Sequence, residues 1–188
     1  MNKSFIVTGA SASGKTTLIE FARKKGYIFL PTHTSRNARN NEINGIDIVS
    51  ISKKLFIENF NNEIYLEPTL DSCELKGVSI YYGTPKDWIE KLKNNNYCGA
   101  PSSPITARKI KNELNIIWVH LYCDDIDRYK RLKNRGMDDE EIKARMNNGD
   151  SLVIPTDATI LINTSKYTPE EIMKIIEFKD KGEKTSGE

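Results

Sequence analysis

Near the N-terminus, Gly9-Ala10-Ser11-Ala12-Ser13-Gly14-Lys15-Thr16 has the residue types and spacing to hold a chain of phosphates. It fills every position of the pattern G-x-x-x-x-G-K-[ST]. Small residues there let successive backbone N–H groups curl around phosphate oxygens. The helix that follows turns its positive N-terminus toward the same oxygens. Lys15 then reaches the β- and γ-phosphates of a nucleotide, and the Thr16 hydroxyl ligates Mg²⁺. Thr17 completes the expected ATP-binding run.

Two further groups of cations have spacing that suits phosphate. Arg36 and Arg39 lie three apart in the Ser/Thr-rich segment Thr32-His33-Thr34-Ser35-Arg36 and its continuation. They form a fork for one phosphate, because a planar guanidinium binds two oxygens at once. Taken alone, they also read as solvated loop charges. Arg131 and Arg135 lie four apart, on a helix that also carries Lys130 and Lys133. That spacing puts both on one face, which in isolation is a plain exposed basic surface. Arg145 follows an acidic turn and on its own reads as a partner within its helix. His33 and His120 have no cysteine or histidine at ligand spacing and read as structural.

A phosphate loop works only between a strand and a helix. Residues 3–8 read as a buried strand, and residues 15–25 as a helix burying Leu18, Ile19, Phe21 and Ala22. Tyr27-Ile28-Phe29-Leu30 is a second short strand, stopped by Pro31. Residues 32–82 are polar and Asn-rich, with short alternating runs at 46–51 and 78–82, so they read as a β-rich insert with a helix near 53–59. Thr84-Pro85-Lys86-Asp87 predicts a helix N-cap, with Pro at the first helical position and the helix running to Asn94. Tyr97-Cys98-Gly99-Ala100 is a weak strand, residues 105–114 a helix, and Ile116 to Tyr122 the strongest strand of the chain. Helices follow at 124–134 and 138–146, then a last strand at 158–162. Thr168-Pro169-Glu170-Glu171 is a capping box that opens a helix to Phe178.

This alternation predicts an α/β fold, a three-layer parallel sheet of the P-loop NTPase type. The chain has 188 residues, enough for one domain. Its 28 Lys+Arg against 26 Asp+Glu leave a net charge of +2, which argues against a nucleic-acid-coating protein. Cys73, Cys98 and Cys123 lack metal-like spacing and read as reduced thiols of a cytoplasmic protein. No apolar run suggests a membrane span or a leader. Residues 179–188 read as a frayed tail.

The chain resembles the guanylate kinase family of nucleoside monophosphate kinases. That family follows its phosphate loop with T-x-R-x-x-R-x-x-E-x-x-G-x-D, matched by Thr34, Arg36, Arg39, Glu42, Gly45 and Asp47. Its Y-G-[ST] element is matched by Tyr82-Gly83-Thr84, and its R-L-x-x-R-G lid by Arg131-Leu132-Lys133-Asn134-Arg135-Gly136 with Arg145 beyond. Its late V-N-D strand end is similar to Ile162-Asn163-Thr164. The resemblance implies a single domain with core segments 1–31, 84–130 and 150–178, an NMP-binding insert and small lid at 32–83 and 131–149, and a tail from 179. It implies ATP as phosphoryl donor with Mg²⁺, and small-molecule nucleotides as partners of a monomer or homodimer, without nucleic acid or membrane. Lys15, Arg131, Arg135 and Arg145 would stabilise the transferring group, and Asn163 would meet the adenine. The acceptor would be held by Thr32, Thr34, Arg36, Arg39, Tyr82 and Thr84, with Glu67 reading its base.

Three departures bear on the acceptor. Ile48 stands where the family has a further phosphate-binding Tyr. Cys98-Gly99-Ala100-Pro101-Ser102-Ser103 carries no acid where the family has D-x-D. The segment after Arg145 is short and ends in Asn147-Asn148-Gly149-Asp150 and a Pro155 loop. GMP or dGMP is the leading acceptor, with Glu67 and the nearby Asp71 as the remaining acids. Ser102 and Ser103 leave open a pyrimidine or modified deoxynucleotide, or a phosphorylated ribose. A non-catalytic binding module of the same fold is disfavoured by the intact Lys15-Thr16 pair.

Overall fold

The computed structural model describes residues 2–39, 42–70, 72–75, 77–147 and 154–184, with the side chains of 72–75 and 181–184 outside the description. Asp71, residues 148–149 of the expected lid, 150–153 of the expected core and 185–188 of the expected tail lie outside the described residues. So does the Cys73 side chain.

Five parallel strands form the central sheet. They are β1 (Phe5–Gly9), β2 (Ile28–Leu30), β7 (Tyr97–Gly99), β8 (Ile117–Tyr122) and β9 (Ile160–Asn163), in the order β2-β7-β1-β8-β9. A smaller sheet joins β3 (His33–Thr34), β4 (Val49–Ser50), β5 (Ser72–Leu75) and β6 (Val78–Gly83), in the order β4-β3-β6-β5. Helix α2 (Lys53–Asn61) packs beside it through buried Phe56, which stacks on Tyr65 at 4.7 Å.

The unbroken apolar runs of β1 and β8 follow from burial on both faces. Phe5, Val7, Ile117, Val119 and Leu121 pack under α1 (Lys15–Lys24) and α7 (Pro169–Lys184). Ile6 and Trp118 pack on the opposite face, under α3 (Trp88–Lys93) and α4 (Pro104–Glu113). Both layers lie where helix–sheet crossovers must put them. The remaining helices, α5 (Asp125–Asn134) and α6 (Asp139–Met146), form a hairpin beside the phosphate loop. A capping box at Asp138 and Glu141 starts α6.

Three expectations need correction, and a fourth, the strand at 97–100, is borne out and given its place. Thr84 does not cap a helix. The chain turns through Pro85 and Lys86, and α3 begins at Trp88 behind Asp87. The Thr84 hydroxyl accepts instead from the Ser102 N–H at 3.1 Å. Within the alternating run at 46–51 only Val49–Ser50 is strand, because Ile43 to Asp47 close a tight turn. The weak strand at 97–100 is a central one, β7, between β2 and β1. Finally, α7 continues past Phe178 to Lys184, held by Asp180, which is buried and accepts from the Lys3 N–H at 3.2 Å.

Candidate functional site

The loop between β1 and α1 is built from unusual backbone. Gly9 has φ 145°, Ala12 φ 65° and Gly14 φ 100°. A Cβ on Gly9 would lie 2.1 Å from the Leu121 carbonyl oxygen, so only glycine lets β1 leave the sheet here. The first N–H groups of a helix have no carbonyl one turn back to bond, and α1 starts directly from the loop at Gly14. This backbone can cradle an anion.

Lys15 folds back over the loop and donates to the carbonyls of Gly9 and Ala10. Its pKa is lowered to about 8, first by burial and then by repulsion from Arg135, Arg128 and Arg39. Arg128 comes from α5 and Arg135 from its C-cap, and Arg39 from the connection between β3 and β4 of the small sheet. Cations from both sides of the cleft therefore converge on the loop lysine. Thr16 and Thr17 are exposed on the first turn of α1.

The outer wall of the loop is pinned to α5 and β9. Arg131 donates to Ala12 O at 3.2 Å and to Thr164 Oγ1 and O, each at 2.9 Å. Thr164 Oγ1 donates to Ser13 O at 2.9 Å. Beside this wall lies a cavity of about 400 Å³, lined by Gly14, Thr17, Arg131, Arg135, Thr164, Tyr167 and Pro169 among others. Its volume and its mixed apolar and polar lining, with Tyr167, suit a nucleoside. The structure does not bring Asn163 to this wall. The Asn163 amide donates to Asp124 Oδ1 at 2.9 Å, and its oxygen accepts from the Ser165 N–H.

Across the cleft, Arg36 is fixed by Glu42 in a two-point ion pair, at 2.7 and 2.9 Å. Its Nε donates to the Tyr82 hydroxyl at 3.2 Å. Arg39 also meets Glu42, through its backbone N–H at 2.9 Å and its guanidinium at 3.3 Å. Burial disfavours the Glu42 charge, but hydrogen bonds from Arg36 and Arg39 outweigh it and hold the carboxyl below its usual range. The Arg39 pKa is lowered by burial and then by Arg36, with Arg145 adding repulsion. One carboxylate thus orders two arginines that still carry excess positive charge.

Other expected acceptor residues divide. Thr34 is fully buried and its hydroxyl donates to Tyr81 O at 2.8 Å, so it holds β3 to β6 and does not face the cleft. The Thr32 carbonyl accepts from the Val49 N–H. Glu67 is half-buried and accepts from the Thr84 N–H at 2.8 Å, from Thr106 Oγ1 at 3.2 Å and from the Ser102 hydroxyl. Ile48, at the position of the expected Tyr, is buried. His33 contacts Tyr65 edge-on and His120 lies in β8, both packed as structural residues.

Sequence reasoning missed three contributors. Glu42 entered only as a motif position, although its spacing from Arg36 and Arg39 was the signal. Thr106, one turn from Ser102, completes the hydroxyl cluster on Glu67. Arg128 is 2% exposed inside a helix that reads as a basic surface. Its signal was its position one turn before Leu132, on the buried face.

Comparisons with known proteins bear on the fold and the family. A family model described as an AAA domain matches residues 6–154. A guanylate kinase of Fusobacterium nucleatum subsp. nucleatum is 31% identical over 150 residues, covering 77% of each chain. A guanylate kinase of Neisseria gonorrhoeae is 30% identical over 146 residues, covering 75% of this chain and 68% of the relative. The crystal structure of guanylate kinase from Anaplasma phagocytophilum superposes with a TM-score of 0.59 at 15% identity, covering 95% of this chain and 87% of that one, and shares its fold.

Proposed function

We propose, since this chain belongs to the guanylate kinase family of P-loop nucleoside monophosphate kinases, that its acceptor is GMP or dGMP and that each half of the cleft holds one substrate. It is an ATP-dependent nucleotide kinase. In our reading, residues 32–83 are the acceptor-binding insert and 131–149 the lid, on a core that carries the loop.

The observation that carries this reading is the convergence on Lys15 of Arg39 from one side and Arg135 and Arg128 from the other. In-line phosphoryl transfer needs positioning and positive charge around the equatorial oxygens, with little covalent help. In this reading the loop and Lys15 hold the donor phosphates. Arg36, Arg39 and Tyr82 hold the acceptor phosphate. Arg135 and Arg145 stand over the transferring group. Arg131 acts through the loop wall and the nucleoside cavity. Among the described residues no cluster of three or more His, Cys, Asp or Glu can hold a metal. That fits Mg²⁺, which binds through substrate phosphates, water and one hydroxyl, here Thr16. When bound, Mg²⁺ would neutralise charge on the donor phosphates.

Glu67 supports a guanine acceptor, because an acceptor-only carboxylate suits the donor N1–H and amino edge of that base. A second reading follows from its neighbours. Ser102, from the segment that lacks the expected acid, and Thr106 place hydroxyls on Glu67. A hydroxyl can donate or accept, so this edge would also suit a pyrimidine or a modified deoxynucleotide.

The test is ADP release from Mg-ATP with GMP, dGMP, AMP, dTMP, dUMP and dCMP in turn, with Lys15→Ala as the blank. Turnover with GMP and dGMP alone is the expected result. Turnover with a pyrimidine alone would transfer the assignment to the second reading. Full activity in Lys15→Ala would remove the loop from the mechanism.

A further inference from the structure

Arg128 has no task in the mechanism above, yet its surroundings give it one. It is 2% exposed on α5, with Leu132 one turn further along the same buried face. Its Nε donates to Ser11 O at 3.0 Å, and its terminal nitrogen donates to Arg145 O. The Arg145 guanidinium donates in turn to Ser11 Oγ at 3.3 Å. These bonds close a ring through Ser11, Arg145 and Arg128. The ring ties the crest of the phosphate loop to the last turn of α6.

We infer that Arg128 is a positioning residue that sets the Arg145 guanidinium over the loop by holding the Ser11 and Arg145 carbonyls at once; this rests on the kinase reading above. Burying a guanidinium whose hydrogen bonds go to carbonyls, close to Lys15, is costly compared with an apolar side chain of similar size. What the charge adds is a rigid fork whose donors reach two carbonyls in fixed directions. A lysine offers donors from a single nitrogen, without the separated, fixed directions of the guanidinium. Among the described residues the Nε of Arg145 is buried without a hydrogen-bond partner, so its guanidinium keeps a donor for an incoming anion. Without the fork, the end of α6 would be free to shift, and Arg145 would move with it. A misplacement of about 1 Å at such a group can cost ~10²-fold in rate.

The test is a double-mutant cycle on ADP release, with Arg128→Met, Arg145→Ala and the pair, together with amide hydrogen exchange of residues 139–147. Arg128→Met is expected to lower kcat ~10- to 100-fold while the KM for ATP changes little. In the Arg145→Ala background the same change should cost less than ~2-fold, because its effect runs through Arg145. Arg128→Lys should recover only part of the rate. Exchange in α6 should quicken in Arg128→Met while β8 and β9 stay protected. An equal loss of kcat in both backgrounds would overturn the inference, as would unchanged exchange in α6. Loss of protection in β8 and β9 as well would show a general role in folding and also overturn it. The exchange measurement needs no acceptor. If no acceptor in the panel is used, the reading of the substrate fails while the tie between Arg128 and α6 is still decided.

Discussion

Arg39 stands between two charges of opposite meaning, Glu42 at 3.3 Å and the loop lysine whose pKa it helps to lower. Glu42 orients it, and an acceptor phosphate would give it a second anion. Arg39→Ala should therefore raise the acceptor KM by about 30-fold, the order expected when a charged hydrogen-bond partner is truncated. The KM for ATP should change far less. Steady-state kinetics with each substrate varied in turn separates the two, and equal effects would place Arg39 outside the acceptor site. Lys15 supports a second prediction. Burial and its arginine neighbours lower its pKa to about 8, so the nucleotide-free enzyme loses this charge as pH rises through that value. Bound phosphates favour the protonated form. Binding above about pH 8 must then take up a proton, and kcat/KM for ATP should fall there while kcat stays level to higher pH. A kcat/KM profile that is flat from pH 7 to 9 would contradict this.

At the scale of elements, β7 shows how a short segment becomes central. Its residues Tyr97–Gly99 are few, and sequence alone marked them as weak strand. Gly99 explains their place. A Cβ there would lie 2.5 Å from the Trp88 ring, so the absence of a side chain lets α3 seat its indole against the sheet. Gly99→Ala should destabilise the protein by ~1–3 kcal/mol through overpacking, read as a lower midpoint in urea with an unchanged slope. A midpoint equal to wild type would mean that α3 moves aside freely. The loop, β1, β8 and the capped helices were legible because each rests on local rules: small residues at fixed spacing, apolar runs and caps. The start of α3 and the interior place of β7 were not, because Thr84 and Gly99 are used by distant partners, Ser102 and Trp88. The same holds in the site. Arg36 and Arg39 announced themselves by spacing, whereas Arg128 reads as surface charge until α6 and the loop close over it.

For the whole molecule, a net charge of +2 makes overall repulsion small, yet the charge is not evenly spread. Lys15 is repelled by Arg135, Arg128 and Arg39, and Arg39 by Arg36 and Arg145. Glu42 offsets part of this at Arg36 and Arg39. The fold therefore brings cations together across three pieces of chain before any phosphate is present, which favours function at the expense of stability. Arg145 shows the cost most plainly, since its Nε is buried without a hydrogen-bond partner among the described residues. Replacing it with an apolar chain removes both that unmet donor and a repelling charge. Arg145→Met should thus raise the melting temperature of the nucleotide-free protein by ~2–4 °C, the shift expected for about 1 kcal/mol in a chain of this size. The same variant should gain less from added Mg-ATP and GMP than wild type does, because bound anions stabilise only what they contact. Thermal melts with and without ligand measure both effects. A lower melting temperature in the nucleotide-free variant would mean that the Arg145 bond to Ser11 outweighs the repulsion, and that the empty cleft is already at rest.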